Sequence, residues 1–379
     1  MKIRTADIAV GLMFFFMISS VSMGKQLETW KGKIEQKDGL QIIKNPKDPA
    51  YPENTLKLEE DLAIASPDND LRFQRLNYLA VDDAENIYVS DSYAGHILVF
   101  NKNGEFVRKI GQKGRGPGEM MFPLEIQILA NNELLVNDTG QTRAHIFNLD
   151  GAFVRQMTTS QLPGFRLPKA DSAGNIVVGL AIPGEPFQAV LRKFDSELNP
   201  ICDIASLDLI TRPPVIAFFE MRWRTNLVWN VSKDDQIIWG NFNKYEIFVC
   251  DPDGKCIRKI FKEHDGVPIT KEKKEKMIKG YFGNRGVPSS VKLKFPDTYP
   301  PFVYLTSDEE GRIFALSYAT IDEDGTRYLD VFNSEGEYIA QTQTRSFPQA
   351  WKNNRMYSVD DDEEGLAVIK RYRVKFPTE

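Results

Sequence analysis

The chain has 379 residues, 42% hydrophobic and 27% charged, with a formal net charge of −5. That composition is globular, and its acidic balance argues against a nucleic-acid binder held by bulk electrostatics. Three cysteines are too few for a disulfide scaffold, so a hydrophobic core must hold the fold together.

Lys2 and Arg4 precede an apolar run from Ile8 to Ile18, interrupted only by Gly11 and followed by Ser19, Ser20, Ser22 and Gly24. This is the pattern of a secretory signal peptide over residues 1–24, and the run falls short of the ~20 apolar residues of a spanning helix. The expectation is an exported protein, periplasmic or secreted, with no membrane span once the signal is removed. Residues 25–379 then form a single domain.

Ile34 to Ile43 alternates around the turn Asp38-Gly39 and reads as a hairpin. From Leu79 a repeating unit begins: a short apolar segment, the polar turn Asp82-Asp-Ala-Glu85, then the alternating strand Asn86-Ile-Tyr-Val89. Copies follow at Asn131-Asn-Glu-Leu134, Asp171-Ser-Ala-Gly174, Lys233-Asp-Asp-Gln236, Asp308-Glu-Glu-Gly311 and Asp362-Glu-Glu-Gly365. A second hairpin closes most units, with turns at Asn103-Gly104, Asp150-Gly151, Asp253-Gly254 and Glu335-Gly336; the unit at Phe194 to Asn199 lacks the glycine. Such a period predicts a ring of four-stranded blades, strands a to d in chain order. The sixth unit is short, so the expectation is that residues 30–44 supply its strands c and d to the a and b of 350–379. The fold class is therefore all-β: a six-bladed β-propeller, its last blade closed by the N-terminal hairpin.

The segments Ala80-Val-Asp82, Asn86-Ile-Tyr-Val-Ser-Asp91 and Gly104-Glu-Phe106, with the linker Gly111-Gln-Lys-Gly114-Arg-Gly-Pro-Gly-Glu119 and Phe122-Pro123, resemble the NHL-type six-bladed propellers, in their bacterial exported branch. The resemblance is sharp over about 72–125 and diffuse elsewhere. It implies fold and export, in a family that is mostly binding scaffolds with a minority of lyases and hydrolases.

The linker is not a phosphate loop, because it lacks the Gly-Lys-Ser/Thr ending and no helical pattern follows. Asp91 and Asp138 end equivalent strands and read as turn caps. Lyases of the NHL type hold a metal with converging histidines, but His96, His145 and His264 fall at non-equivalent places, so no metal and no cofactor is expected. Cys250 and Cys256 flank a turn where other units carry aromatic pairs; they read either as a disulfide or as two buried thiols.

Two insertions interrupt the repeat, at about 205–227 and 260–303, the second with Thr270 as an N-cap for an amphipathic helix. Both lie in d–a connections, which open on one face. In the linkers of that face Lys and Arg outnumber Asp and Glu, while the opposite face is expected to hold Asp82, Asp83, Asp234, Asp235, Asp308 to Glu310 and Asp360 to Glu364. Arg115, Arg143, Arg166, Arg222, Trp223, Arg224 and Arg285 are the candidate binding rim around the channel mouth, since guanidinium forks suit carboxylate or sulfate and an indole can stack on a sugar. The partner expected is an anionic glycan, peptide or protein surface; the alternative is a propeller lyase or hydrolase acting at the mouth of the channel.

Overall fold

The computed structural model describes residues 30–376 except 53–54, 67–70, 210–214, 218–226, 242–243 and 321–324. Six sheets of four core strands stand around an axis. Blade one runs Leu76–Val81, Ile87–Asp91, His96–Phe100 and Phe106–Ile110; blade two begins at Pro123–Ile128, blade three at Arg166–Ala170, blade four at Leu227–Val231, blade five at Phe302–Ser307 and blade six at Ala350–Lys352. All strand pairs within these four-stranded cores are antiparallel. Strands b are the most buried, as in Ile87–Asp91, because neighbouring blades pack on both of their faces. Of the aromatic pairs at matching hairpin positions, Phe100, Phe147, Phe332 and Tyr338 are 0–2% exposed, whereas Phe106 and Phe153 remain 39% and 36% exposed.

Turn chemistry explains the repeat. Asp82 and Asp171 accept from the amides of Asn86 and Asn175, and Asn101 accepts from those of Asn103 and Glu105, so each turn is fastened by its own first side chain. Gly104 sits at φ 84°, a left-handed conformation that glycine adopts freely. In the unit lacking that glycine, Leu198 takes φ 65° in the same role.

The ring is closed by the N-terminal chain, but not by the segment expected. Blade six takes its strands a, b and c from the C-terminal stretch, Ala350–Lys352, Arg355–Asp361 and Ala367–Lys375, and only strand d from the N-terminal side, β3 (Lys57–Ala65). The expected hairpin exists as β1 (Lys33–Lys37) and β2 (Leu40–Asn45), yet it lies on the outside of blade four, with β2 parallel to Cys256–Lys262. The reason is one turn. Asn353 and Asn354, both at positive φ, make the tight a–b turn of blade six. Asp362 to Gly365 therefore forms its b–c turn, and one strand remains to be supplied rather than two.

This shift moves charge between faces. Asp360 to Glu364 lie with the d–a connections, not opposite them, beside a groove of about 900 Å³ that also reaches Arg345 and Lys370. The opposite face keeps Asp83, Glu85 and Glu309, which pair there with Lys352 and Arg355. Near the axis, the Gln349 amide accepts from Leu79 N at 3.0 Å and donates to Asn77 O at 2.8 Å, tying blade six to blade one. Gln127 ties blade two to Ala170 of blade three in the same way.

Both insertions are shorter than expected, because strand d of blade three extends to Asp208 and that of blade four to Lys262. The second contains α1 (Lys271–Phe282), whose N-cap Thr270 accepts from Lys273 N. The two insertions meet: Val215–Ala217 pairs in parallel with Lys292–Lys294. No helix among the described residues is long and apolar enough to cross a membrane, and residues 1–24 lie outside the described residues.

Candidate functional site

Strand a of each blade brings one end of its sequence to the d–a mouth of the channel. Tyr78, Glu125 and Tyr304 occupy the same place in blades one, two and five, three residues before the end of that strand. Arg166 opens strand a of blade three. Its Nε lies 3.1 Å from Glu125 Oε1, and the other carboxylate oxygen accepts from Asn137 Nδ2 at 2.7 Å. The Glu125 side chain is 4% exposed and that of Arg166 47%. A buried carboxylate thus aims a guanidinium that is still half open to solvent.

The electrostatics couple these groups. Burial, then the charge of Glu125 and the nearby Tyr304, hold the Tyr78 hydroxyl far above its ordinary value, with Arg166 opposing. Burial pushes Tyr304 up to about 12. Lys169, near the end of strand a of blade three, is pulled below the usual lysine value by burial, with Glu125 opposing. Arg166 is paired with the carboxylate, Lys169 lies close enough to feel its charge, and the phenols of Tyr78 and Tyr304 belong to the same electrostatic neighbourhood. The arrangement offers hydrogen-bond donors around a guanidinium whose outer side is open, which suits an anionic oxygen group.

The expected rim residues are only partly brought together. Arg166 is at the mouth, in a built setting. Arg115 is exposed at the tip of the 111–119 strap, against which the Gln141 amide packs by donating to Gly114 O and Glu119 O. Arg143, two residues beyond Gln141, is half-buried and lies 3.5 Å from Gln156 Oε1. Arg285 is exposed in a short 3-10 turn after α1. Arg222, Trp223 and Arg224 lie outside the described residues. The strap itself binds its own carboxylate: Glu119 accepts from Gly116 N at 2.8 Å.

Sequence reasoning missed Tyr78, Glu125, Lys169 and Tyr304. The aligned repeat could have found three of them, since they share one position, but strand a alternates between core and channel, and only register tells which is which.

The other candidates are structural. Asp91 accepts from the amides of Gln74 and Arg75, and Asp138 from those of Met121 and Phe122, so each clamps the start of its own strand a. His96 and His145 stand on strands c and His264 in the second insertion. Among the described residues no group of three or more His, Cys, Asp and Glu could hold a metal. Cys250 and Cys256 face each other across their hairpin with sulfurs 2.11 Å apart, and Cys202 is separate.

A family model described as a six-bladed β-propeller matches residues 68–166. The protein brain tumor of Drosophila melanogaster is 27% identical over 109 residues, 28% of this chain and 10% of that protein. Among solved structures, a candidate exported protein from Bacteroides fragilis superposes with a TM-score of 0.56 at 13% identity, covering 88% of this chain and 99% of its own. A duf4221 family member from Bacteroides vulgatus gives 0.51 at 13% identity, covering 86% and 100%. These likenesses show the fold.

Proposed function

We propose that this chain is an exported binding propeller that takes an anionic group at the d–a mouth of its channel. The carrying observation is the Glu125–Arg166 pair: a buried, doubly bonded carboxylate orients a guanidinium whose outer side remains open, with Lys169, Tyr78 and Tyr304 beside it. A carboxylate or sulfate on a glycan, a peptide or a protein surface would complete these donors. Arg115, Arg143 and Arg285, with Arg222, Trp223 and Arg224, would extend the contact outward as a basic rim. The acidic run Asp360 to Glu364 on the same face would orient such a partner by repelling its anionic end from blade six.

The test is a glycan and peptide array followed by calorimetry on its best ligand. Arg166→Ala and Lys169→Met are expected to lower affinity by about tenfold each or more, the scale of a lost charge-assisted hydrogen bond. Unchanged array profiles for both variants, with melting temperatures intact, would remove the proposal.

A further inference from the structure

A second site stands apart from the channel. Between blades four and five, beneath the connection 263–301, a cavity of about 330 Å³ opens on the d–a face. Clefts that hold small-molecule ligands begin at roughly this size, ~300 Å³.

Its floor is an ion pair: Lys262 Nζ lies 2.7 Å from Asp330 Oδ2, and the residues are 5% and 4% exposed. Asp330 is saturated. Tyr245 and Lys262 donate to one oxygen, Tyr338 and Gln341 to the other, which fills the acceptor capacity of a carboxylate. Lys262 is not. Among the described residues, one of its three N–H donors goes to Asp330, and the ring faces of Tyr338 and Tyr245 lie at 4.2 and 5.0 Å. An ammonium that is more than nine-tenths buried thus has donors to spare on the wall of a cavity.

The rest of the wall selects the ligand. Tyr328, Tyr299 and Pro300 supply apolar surface. Burial, then the charge of Lys262, pulls His264 below its ordinary value, so at neutral pH its ring both donates and accepts. Lys47 is paired with Asp265 as Lys262 is with Asp330, while Asp48 and Glu263 add two further negative charges to the lining. An anion would find no unpaired cation among the described lining residues, and a cation has no lone pair to accept from the spare donors of Lys262. We propose that this cavity binds a neutral, hydroxyl-bearing ring, a single sugar residue free or at the end of a chain. The ring's apolar face would lie on tyrosine and proline, and its hydroxyls would accept from Lys262 and bond with His264.

The inference does not rest on the channel mouth, and its test keeps the two apart. Glucose, galactose and N-acetylglucosamine, with galacturonic acid as the charged control, would be titrated into the full chain by saturation-transfer NMR and calorimetry. At least one neutral sugar is expected to bind in the millimolar range. Ala319→Trp, which fills the cavity, and Tyr328→Ala, which removes a wall, are each expected to weaken it by about tenfold or more. Both spare the Lys262–Asp330 pair, and melting curves would verify folding. Arg166→Ala is expected to leave sugar binding unchanged. No binding of any neutral sugar at roughly 50 mM, well beyond the millimolar range, would overturn the proposal. So would binding of galacturonic acid alone, binding indifferent to both cavity variants, or binding lost with Arg166.

Discussion

His145 is a fully buried imidazole whose two nitrogens find no hydrogen-bond partner among the described residues. Its Nε2 is 3.8 Å from Asp138, too long for a hydrogen bond. The residue at its position in blade one is Leu98, opposite Val89 as His145 is opposite Val136. His145→Leu is therefore expected to raise stability by about 1–2 kcal/mol, since an unsatisfied buried polar group costs that much or more; a lower melting temperature would contradict this. Three aspartates set the acid limit. Burial pushes Asp138, Asp171 and Asp330 up, but their hydrogen-bond partners outweigh it: the Met121 and Phe122 amides with Gln141, Lys193 and Asn175, and Lys262 with Tyr245. All three are held below the usual carboxylate value, so their stabilisation is complete above the unfolded pKa of about 3.9 and disappears as pH falls through the lower folded values. Melting temperature is expected to be insensitive to these groups from about pH 5 upward and to drop below pH ~4. For Cys250 and Cys256, alkylating unfolded, never-reduced protein from an oxidising compartment is expected to label Cys202 alone.

At the scale of elements, β3 and the β1–β2 hairpin are both N-terminal and both pair with the ring, but their loss has different consequences. β3 completes blade six along Leu58↔Val374 to Ala65↔Val368, so removing it bares a central strand of the ring and its unpaired backbone. The hairpin only extends a blade that already has four strands. Its buried anchor is Ile43, with Asn45 accepting from Tyr338 N and donating to Gly336 O. A chain starting at residue 46 is expected to melt cooperatively with a loss of about 2–4 kcal/mol, the scale of emptying one large core position. A chain starting at residue 67 is expected to aggregate or lose its cooperative transition. Equal melting of both truncations would refute this division.

For the whole molecule, the two proposed sites differ in their response to salt. Binding at the channel mouth uses a half-exposed guanidinium and should weaken steadily as ionic strength rises past about 0.15 M, where the Debye length is ~8 Å. Binding of a neutral sugar between blades four and five should not change. A salt titration of each ligand against wild type and Arg166→Ala would separate the two. The ring itself was legible in the chain because turn residues and strand alternation are local: Asp82, Asp171 and Asp308 each fasten a turn to residues within four positions. The closure was misplaced for the same reason, since the Asn353-Asn354 turn shifts one blade by a strand, and which N-terminal segment pairs with Ala367–Lys375 is a long-range choice that local pattern does not contain. The sites lie further from the sequence still. Lys262 and Asp330, or Arg166 and Glu125, are ordinary surface-type residues in their own strands. Only the packing of one blade against the next takes Lys262, Asp330 and Glu125 out of water and sets Arg166 against its buried carboxylate, and that desolvation makes a paired charge into an oriented donor.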